Sequence, residues 1–404
     1  MPGDTPPFRL RQLTMPVYIP TFLFAVGQGA VIPIIPLFAK DLGASVALAG
    51  VVVSLRGFGT MGFDIPAGFL VTKVGERGAM VLATLVLTAV ALGAALSPSV
   101  WAFAALITAM GCAWAVWLLA RLSFVTDIAP PDQRGRALSL LGGSNRVGNF
   151  VGPFLGGFVA VRFGLDGAFY VQAALSAAAC LVLFTVAREQ GNTHPPSHGG
   201  KVYQRFGRVV VEHRGVFATA GLATMAIGAL RASRQAVIPL WGDHLGLSAG
   251  EIGVIVGISN GLDMTLFYPV GIVMDRWGRK WVGVPCLLFM GIGLMLVPLS
   301  TTFGTLLAVS FIASFGNGLG SGIVMTLGAD FSPAIGRGEF LGVWRLVGDV
   351  GTAGGPAIVG AVSAFASLGA ASVATGGIGL AGALVMIFLV AEPLRRPIRA
   401  AADT

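Results

Sequence analysis

Twelve apolar runs, each about twenty residues long, leave this chain little room to fold in water. They fall near 17–39, 46–71, 79–97, 100–122, 136–161, 167–187, 215–240, 249–274, 281–300, 303–327, 339–363 and 370–391. A soluble helix needs one apolar stripe, whereas roughly 20 consecutive apolar residues are what a helix needs to cross the hydrocarbon of a bilayer. Charged residues make up 11% of the 404, where a soluble domain carries about a quarter. Mean hydropathy is +0.83. The expected class is an all-α membrane protein with twelve transmembrane helices. The net charge of +8 is scattered over short loops and gives no reason to expect nucleic acid. Cys112, Cys180 and Cys286 all lie inside apolar runs and read as small packing residues. Residues 1–14 lack an apolar h-region, so no cleaved signal peptide is expected.

The chain repeats itself at an offset of 203, about half its length. Gly271-Ile272-Val273-Met274-Asp275-Arg276-Trp277-Gly278-Arg279-Lys280 has a degraded copy at Gly68-Phe69-Leu70-Val71-Thr72-Lys73-Val74-Gly75-Glu76-Arg77. Ile35-Pro36-Leu37 matches Ile238-Pro239-Leu240, Pro66 matches Pro269, and Asp127 matches Asp330. Arg134-Gly135 matches Arg337-Gly338, and Gly152-Pro153 matches Gly355-Pro356. Apolar residues coincide easily, but Pro, Gly and Asp in one register do not. The expectation is two pseudo-symmetric six-helix bundles, 1–187 and 215–404, joined by a cytoplasmic linker at 188–214. That linker holds Pro195-Pro196 and Gly199-Gly200 and shows little periodicity. Parallel repeats of this kind place a substrate site between the halves near the midplane.

Orientation follows from Lys and Arg. With the N-terminus in the cytoplasm, eighteen of them fall on the cytoplasmic side, against Lys40 and Arg162 outside. That bias satisfies the positive-inside rule, and an odd number of spans would scramble it. A multi-pass cell-membrane protein with both termini cytoplasmic is expected.

On these motifs the chain resembles the major facilitator superfamily. Gly271 to Lys280 resembles that family's loop signature between helices two and three and its echo between eight and nine. In the first copy Thr72 stands where the acid is expected and Glu76 where a base is expected. Gly148-Asn149-Phe150-Val151-Gly152-Pro153-Phe154-Leu155-Gly156-Gly157 resembles the helix-five signature of the drug:proton antiporter branch. Ile107 stands where that branch carries a helix-four arginine, before Gly111. The resemblance implies a monomeric transporter of a small-molecule substrate in the lipid bilayer, with protons as coupling ion.

The loop residues Gly68, Lys73, Gly75, Arg77, Gly271, Asp275, Arg276, Gly278, Arg279 and Lys280 carry two readings. Asp275 among bases on the next turn and the neighbouring half can hold one domain arrangement closed, or the bases merely keep the loop inside. In helix five, Gly148, Gly152 and Gly156 form a small-residue stripe that permits close helix approach, followed by Gly157. Pro153 removes a backbone hydrogen bond and bends the helix. The stripe reads as a pivot or seal, or as plain packing.

Nine charges lie inside the spans: Arg56, Asp64, Arg121, Arg146, Arg231, Arg234, Asp263, Arg345 and Asp349. Each costs about 2.5–3.5 kcal/mol at a helix centre on insertion scales. Spans three, six, nine and twelve carry none. The resemblance makes those four outer supports and the other eight the lining of a central cavity. Arg345 and Asp349, four apart, can pair on one helix face. Arg56 and Asp64 pair only through a neighbour. Arg146 and Asp349 are equivalent under the offset and can latch the halves. Arg231 and Arg234 are neighbours with no acid in their span, which suggests an anion site; neutralisation by Asp263 and Asp64 is the alternative. Arg121, near the membrane edge, is expected to snorkel or to cap a loop. Asp64, Asp263 and Asp349 are the candidate proton carriers.

No phosphate-cradling GxxxxGK[ST] loop is present, and His194, His198, His213 and His244 lie in loops. No enzyme activity, cofactor or metal site is expected. The sequence therefore reads as a secondary active transporter moving a small amphipathic or acidic organic solute by alternating access. Proton-coupled efflux is the preferred mode and organic anion uptake or exchange the alternative. A transporter-shaped receptor or a channel is a different class.

Overall fold

In a computed structural model of the protein, which describes residues 10–130, 132–186, 202–333 and 336–392, every regular element is helical. The first span, α1 (Leu10–Val31), continues beyond a turn as the short helix Ile35–Asp41. A helical run from Val46 to Ala95 follows, 50 residues long. At 1.5 Å per residue it would reach about 75 Å, more than two bilayer cores. Gly75 divides it, with φ 76° and ψ 162°, into α2 (46–74) and α3 (76–95). The remaining spans are α4 (Val100–Ile128), α5 (Arg134–Phe163), α6 (Gly167–Val186), α7 (Arg214–His244), α8 (Ala249–Trp277), α9 (Lys280–Leu296), α10 (Phe303–Phe331), α11 (Arg337–Phe365) and α12 (Leu368–Phe388). Ten helical stretches are long and apolar enough to cross a membrane. The division at Gly75, together with α5, which carries Arg134, Arg136, Arg146 and Arg162, accounts for twelve.

The repeat is visible in the backbone. Gly43 and Gly246 both have positive φ, 90° and 74°, as do Gly75 and Gly278, 76° and 112°. Each pair is 203 apart and sits at a turn that an L side chain adopts only with strain. Helix starts repeat too: Ser99 caps α4 through Ala102 N, and its equivalent Thr302 caps α10 in a reciprocal box with Thr305.

Part of the expected linker, 187–201, lies outside the described residues. The rest is more regular than expected, because Val202–Glu212 forms a helix packed against α11. Val202, Phe206, Val209 and Val210 recur at helical spacing between polar residues, a periodicity the Pro and Gly upstream obscure.

Two compact units emerge from the contacts. Unit one comprises Met1–Ser45, Leu55–Ser197 and Gly246–Gly257; unit two comprises Val46–Ser54, His198–Leu245 and Ile258–Thr404. Each unit thus takes in the first turns of one helix from the other half of the sequence.

Backbone contact through small residues holds each unit. In unit one a Cβ on Gly148 would lie 2.9 Å from Phe22 O, on Gly152 2.4 Å from Val26 O, and on Gly156 2.3 Å from Ala30 O. The helix-five stripe is therefore the seat of α1. In unit two the equivalent Gly351 and Gly355 seat α7, with Met225 O at 2.0 Å and Ala229 O at 2.3 Å from the same hypothetical atom. Gly157 is not part of the stripe's contact. A Cβ on it would lie 3.2 Å from Gly253 Cα, on the first turns of α8. The equivalent pair, Gly360 and Gly50 on the first turns of α2, repeats this in unit two, with Gly360 Cα at 2.9 Å from a Gly50 Cβ. Lipid tails are as apolar as leucine, so close van der Waals approach of this kind, rather than water exclusion, drives helices together.

The spans α3, α6, α9 and α12, charged only in the first turns of α3 and α9, expose large apolar side chains, among them Leu85, Leu181, Ile292 and Phe388. Such faces suit acyl chains.

Replacing Gly152 by Leu is expected to destabilise unit one by at least the 1–3 kcal/mol typical of overpacking. Gly143, beside which a Cβ meets nothing within 4 Å, is expected to accept Ala without loss. Thermal unfolding of the purified chain in detergent checks the pair.

Candidate substrate and ion pathway

Unit two carries a polar network between α7, α8 and α10. Asp263 on α8 is 7% exposed. Its Oδ2 accepts from Arg234 Nη2 at 3.2 Å and from Asn317 Nδ2. Its Oδ1 is buried and has no partner among the described residues. Arg234 also donates to Ser314 Oγ. Arg231, one turn earlier on α7, donates from Nε to Asn317 Oδ1 at 2.8 Å and from Nη2 to Gly320 O at 2.7 Å. The first segment of α10 ends at Leu319, and Gly322 at φ 81° starts the second. This break opens the Gly320 carbonyl to a side chain, as irregular backbone at membrane depth does where protein surrounds it. A Cβ on Gly320 would lie 2.9 Å from Arg231 Nη2, so the site tolerates little else there.

Of the two readings for Arg231 and Arg234, this geometry fits neutralisation by Asp263 rather than an open anion site. Arg234 is neutralised by Asp263 from the neighbouring helix, and Arg231 spends its donors on an amide and a carbonyl. Sequence spacing shows only that the two arginines share a helix face, not what the adjacent helices bring.

Unit one carries a different cluster. α2 and α4 touch through backbone: a Cβ on Gly59 would lie 2.2 Å from Thr108 O, and one on Gly111 2.0 Å from Arg56 O. At this level Arg56 donates to Gln28 Oε1 on α1, and its guanidinium lies 5.8 Å from the centre of the Trp114 ring on α4. Arg121, two turns further along α4, has its guanidinium 5.5 Å from the same ring. It donates to Asn145 Oδ1 on α5 at 3.3 Å. Arg121 is only 6% exposed, which corrects the expectation that it snorkels: it turns inward because Trp114 and Asn145 receive it. Neither arginine has a carboxylate partner among the described residues, and both Nε atoms are buried without an acceptor there. Phe24 stacks on Trp117 at 4.7 Å and tilts against Trp114 at 5.6 Å, backing the cluster.

The two sites occupy the same frame. Under the offset of 203, Gln28 corresponds to Arg231, Thr60 to Asp263, Gly111 to Ser314 and Trp114 to Asn317. One ancestral inter-helix position thus carries an acid–base network in one half and an arginine–aromatic cluster in the other.

Other expected residues fall as follows. Arg345 Nε and Asp349 Oδ2 are 3.6 Å apart on α11, a partly exposed pair within one helix. Arg146 belongs to unit one and Asp349 to unit two. Asp64 lies on α2 and is partly buried. Ile107 is fully buried and apolar.

In the second loop the hub is Arg279 rather than Asp275. Arg279 Nε donates to Asp330 Oδ2 at 2.7 Å and Nη1 to Met274 O at 2.7 Å, while Asp275, 78% exposed, sits 3.5 Å away. Glu392, beyond α12, accepts from the backbone N–H groups of Arg279 and Lys280 at 2.9 and 3.0 Å. It caps the positive end of α9. Lys280 reaches Ile387 O, and the equivalent Arg77 reaches Phe184 O, again 203 apart. Glu76, in place of Arg279, ends the parallel. Lys73 and Arg276 are exposed, Gly278 is buried under Glu392, Gly271 faces open space, and a Cβ on Gly68 would meet Leu119 Cδ2 at 3.9 Å.

Comparison with known proteins decides what this arrangement belongs to. The model of the Major Facilitator Superfamily matches residues 17–234 and 220–403. The chain belongs to that superfamily. It is 25% identical over 375 residues to the multi-drug resistance efflux pump PmrA homolog of Lactococcus lactis, covering 89% of this chain and 90% of the relative. It is 26% identical over 336 residues to the multidrug resistance protein MdtH of Edwardsiella ictaluri, covering 81% of each. The fold matches the crystal structure of the nucleoside transporter NupG with a TM-score of 0.79 at 16% identity, over 95% of this chain and 100% of that one. As a major facilitator protein the chain is a multi-pass transporter of small molecules and not an enzyme.

Sequence reasoning picked out the charges of the unit-two network but missed its neutral members, Ser314 and Asn317, and all of Gln28, Trp114 and Asn145. An amide or indole at helical spacing carries no penalty that singles it out, whereas a buried charge does.

Replacing Arg234 by Met leaves Asp263 without its cation and is expected to cost about 3–5 kcal/mol. Adding Asp263→Asn is expected to return most of that loss. A double-mutant cycle on thermal stability measures the coupling.

Proposed function

We propose that the chain is a proton-coupled exporter of a small amphipathic or acidic organic solute, working by alternating access in the cell membrane, as a monomer with both termini cytoplasmic. The observation that carries the coupling is Asp263: a carboxylate within a spanning helix, held by Arg234 and Asn317 through one oxygen, with the other oxygen unpartnered. A carboxyl that gains a proton weakens its hold on Arg234, and Arg234 is then free for substrate or for a rearranged network. Burial favours the protonated form and the arginine favours the ionised form, so a change in either environment moves a proton. The similarity to multidrug efflux proteins supports the outward direction.

Gly157 with Gly253, and Gly50 with Gly360, support the mechanical part of the reading. These are close small-residue contacts that part without breaking hydrogen bonds or ion pairs. The Arg279–Asp330–Glu392 clamp acts in the gating loops as a cytoplasmic latch.

A second reading, organic anion uptake or exchange, is favoured by Arg56 and Arg121, which have no acid partner among the described residues. The sign of gradient-driven flux separates the two. In proteoliposomes with an imposed pH gradient, Asp263→Asn is expected to abolish uphill solute movement and retain downhill exchange. Uphill transport at the native rate in that variant would remove Asp263 from the coupling step, and uphill movement only inward would favour the second reading.

A further inference from the structure

We propose that Arg56, Arg121 and Trp114 form a subsite for the carboxylate of a substrate whose remaining body is flat and apolar. The inference rests on the transporter reading and names the substrate class it serves.

The argument begins with an uncompensated charge. Two guanidiniums lie within 6 Å of one indole, at 5.8 and 5.5 Å. Their hydrogen-bond partners, Gln28 and Asn145, are neutral amides. Attraction to a ring face contributes about 0.5–2 kcal/mol per cation, which does not offset the removal of a guanidinium from water. In unit two the corresponding frame neutralises its arginine with Asp263. In unit one the equivalent of Asp263 is Thr60, whose hydroxyl is taken up by Arg56 O at 3.1 Å and Gly111 O at 3.2 Å. The acid is therefore missing from the protein at the position where the repeat would place it.

A carboxylate brought by the substrate supplies what is lacking. Guanidinium is a planar fork that binds such groups with two parallel hydrogen bonds. Both Nε atoms are buried donors with no acceptor among the described residues, so a bound oxyanion would satisfy groups that now go unmet. Arg56 and Trp114 are each only partly buried, which leaves the subsite open to a solute. The partly exposed part of the Trp114 ring supplies apolar surface for the rest of the molecule, and Phe24, itself stacked on Trp117, backs that ring. A site that leaves charge unpaired when empty discriminates strongly against neutral isosteres. It repels cations outright.

The test uses the full-length chain in nanodiscs of zwitterionic phosphatidylcholine, so that no lipid phosphate in excess of its own choline competes as a free anion. Three quenchers of tryptophan fluorescence serve as probes: 4-nitrobenzoate, 4-nitrobenzamide and 4-nitrobenzylammonium. The expected result is saturable quenching by the carboxylate at a concentration at least tenfold below that needed for the amide, with no saturable quenching by the ammonium. Trp114→Phe should remove most of the saturable signal. Arg56→Gln and Arg121→Gln should each weaken the carboxylate by about tenfold or more and leave the amide unchanged, and Arg56→Lys should fall between. Should Arg121→Gln not elute as a folded species, Arg56→Gln and Trp114→Phe carry the test. Equal affinity for all three probes, or a carboxylate preference that survives both arginine substitutions, overturns the subsite. Carboxylate selectivity in nanodiscs, with no pH-driven flux by the same chain in sealed proteoliposomes, would instead sink the exporter reading and leave the subsite standing.

Discussion

An ionised side chain inside hydrocarbon has to be answered by something, and in this protein the answers differ between the two halves. In unit two the answer is internal. Asp263 meets Arg234, while Asn317, Ser314 and the Gly320 carbonyl take the donors that remain. In unit one Arg56 and Arg121 receive only amide oxygens and the face of an indole. The first arrangement has its acid and base paired as it stands. The second is left wanting a negative group. On the proton-coupled exchange proposed above, the protein has one site of each kind.

The duplication supplies the geometry that makes this division possible. Gly148, Gly152 and Gly156 in one half, and Gly351 and Gly355 in the other, bring a helix of each unit into backbone contact. Since the frame is set by backbone approach through small residues, side chains elsewhere are free to diverge. Gln28 against Arg231, Thr60 against Asp263 and Trp114 against Asn317 are such divergences on a shared scaffold. Had large side chains set the helix spacing, each replacement would have moved the helices as well.

The fold was largely open to reading because its determinants are periodic and collective. Run length gave twelve spans, and Pro, Gly and Asp in register gave the repeat, which Gly75 and Gly278 then repeat in their backbone angles. The site was legible only where a residue was costly. Arg56, Asp263 and Arg234 stand out in an apolar run; Trp114, Asn317 and Ser314 do not, since neutral polar and aromatic residues are ordinary in bundles. Direction was the other blind spot. Arg121 sits by position near a helix end, where snorkelling is the general rule, and only the presence of Trp114 and Asn145 beside it turns it inward. The helical Val202–Glu212 was masked by the Pro-Pro and Gly-Gly that precede it.

The loop signatures diverge between the halves in the same way. Arg279 binds Asp330 and Asp275 while Glu392 holds the start of α9, so the second half has a multi-point clamp. At the corresponding place the first half has Glu76, which cannot hold Asp127 as Arg279 holds Asp330 because the charges repel. What both halves keep is the simpler contact, Arg77 to the end of α6 and Lys280 to the end of α12, where a cation meets helix carbonyls at the negative end of the dipole. The retained contact fixes helix to helix within a unit. The one that diverged is an ion pair, which releases at small cost once water reaches it. On the latch proposed above, that property is needed on one side only, and the loops of the two halves differ as their buried polar clusters differ.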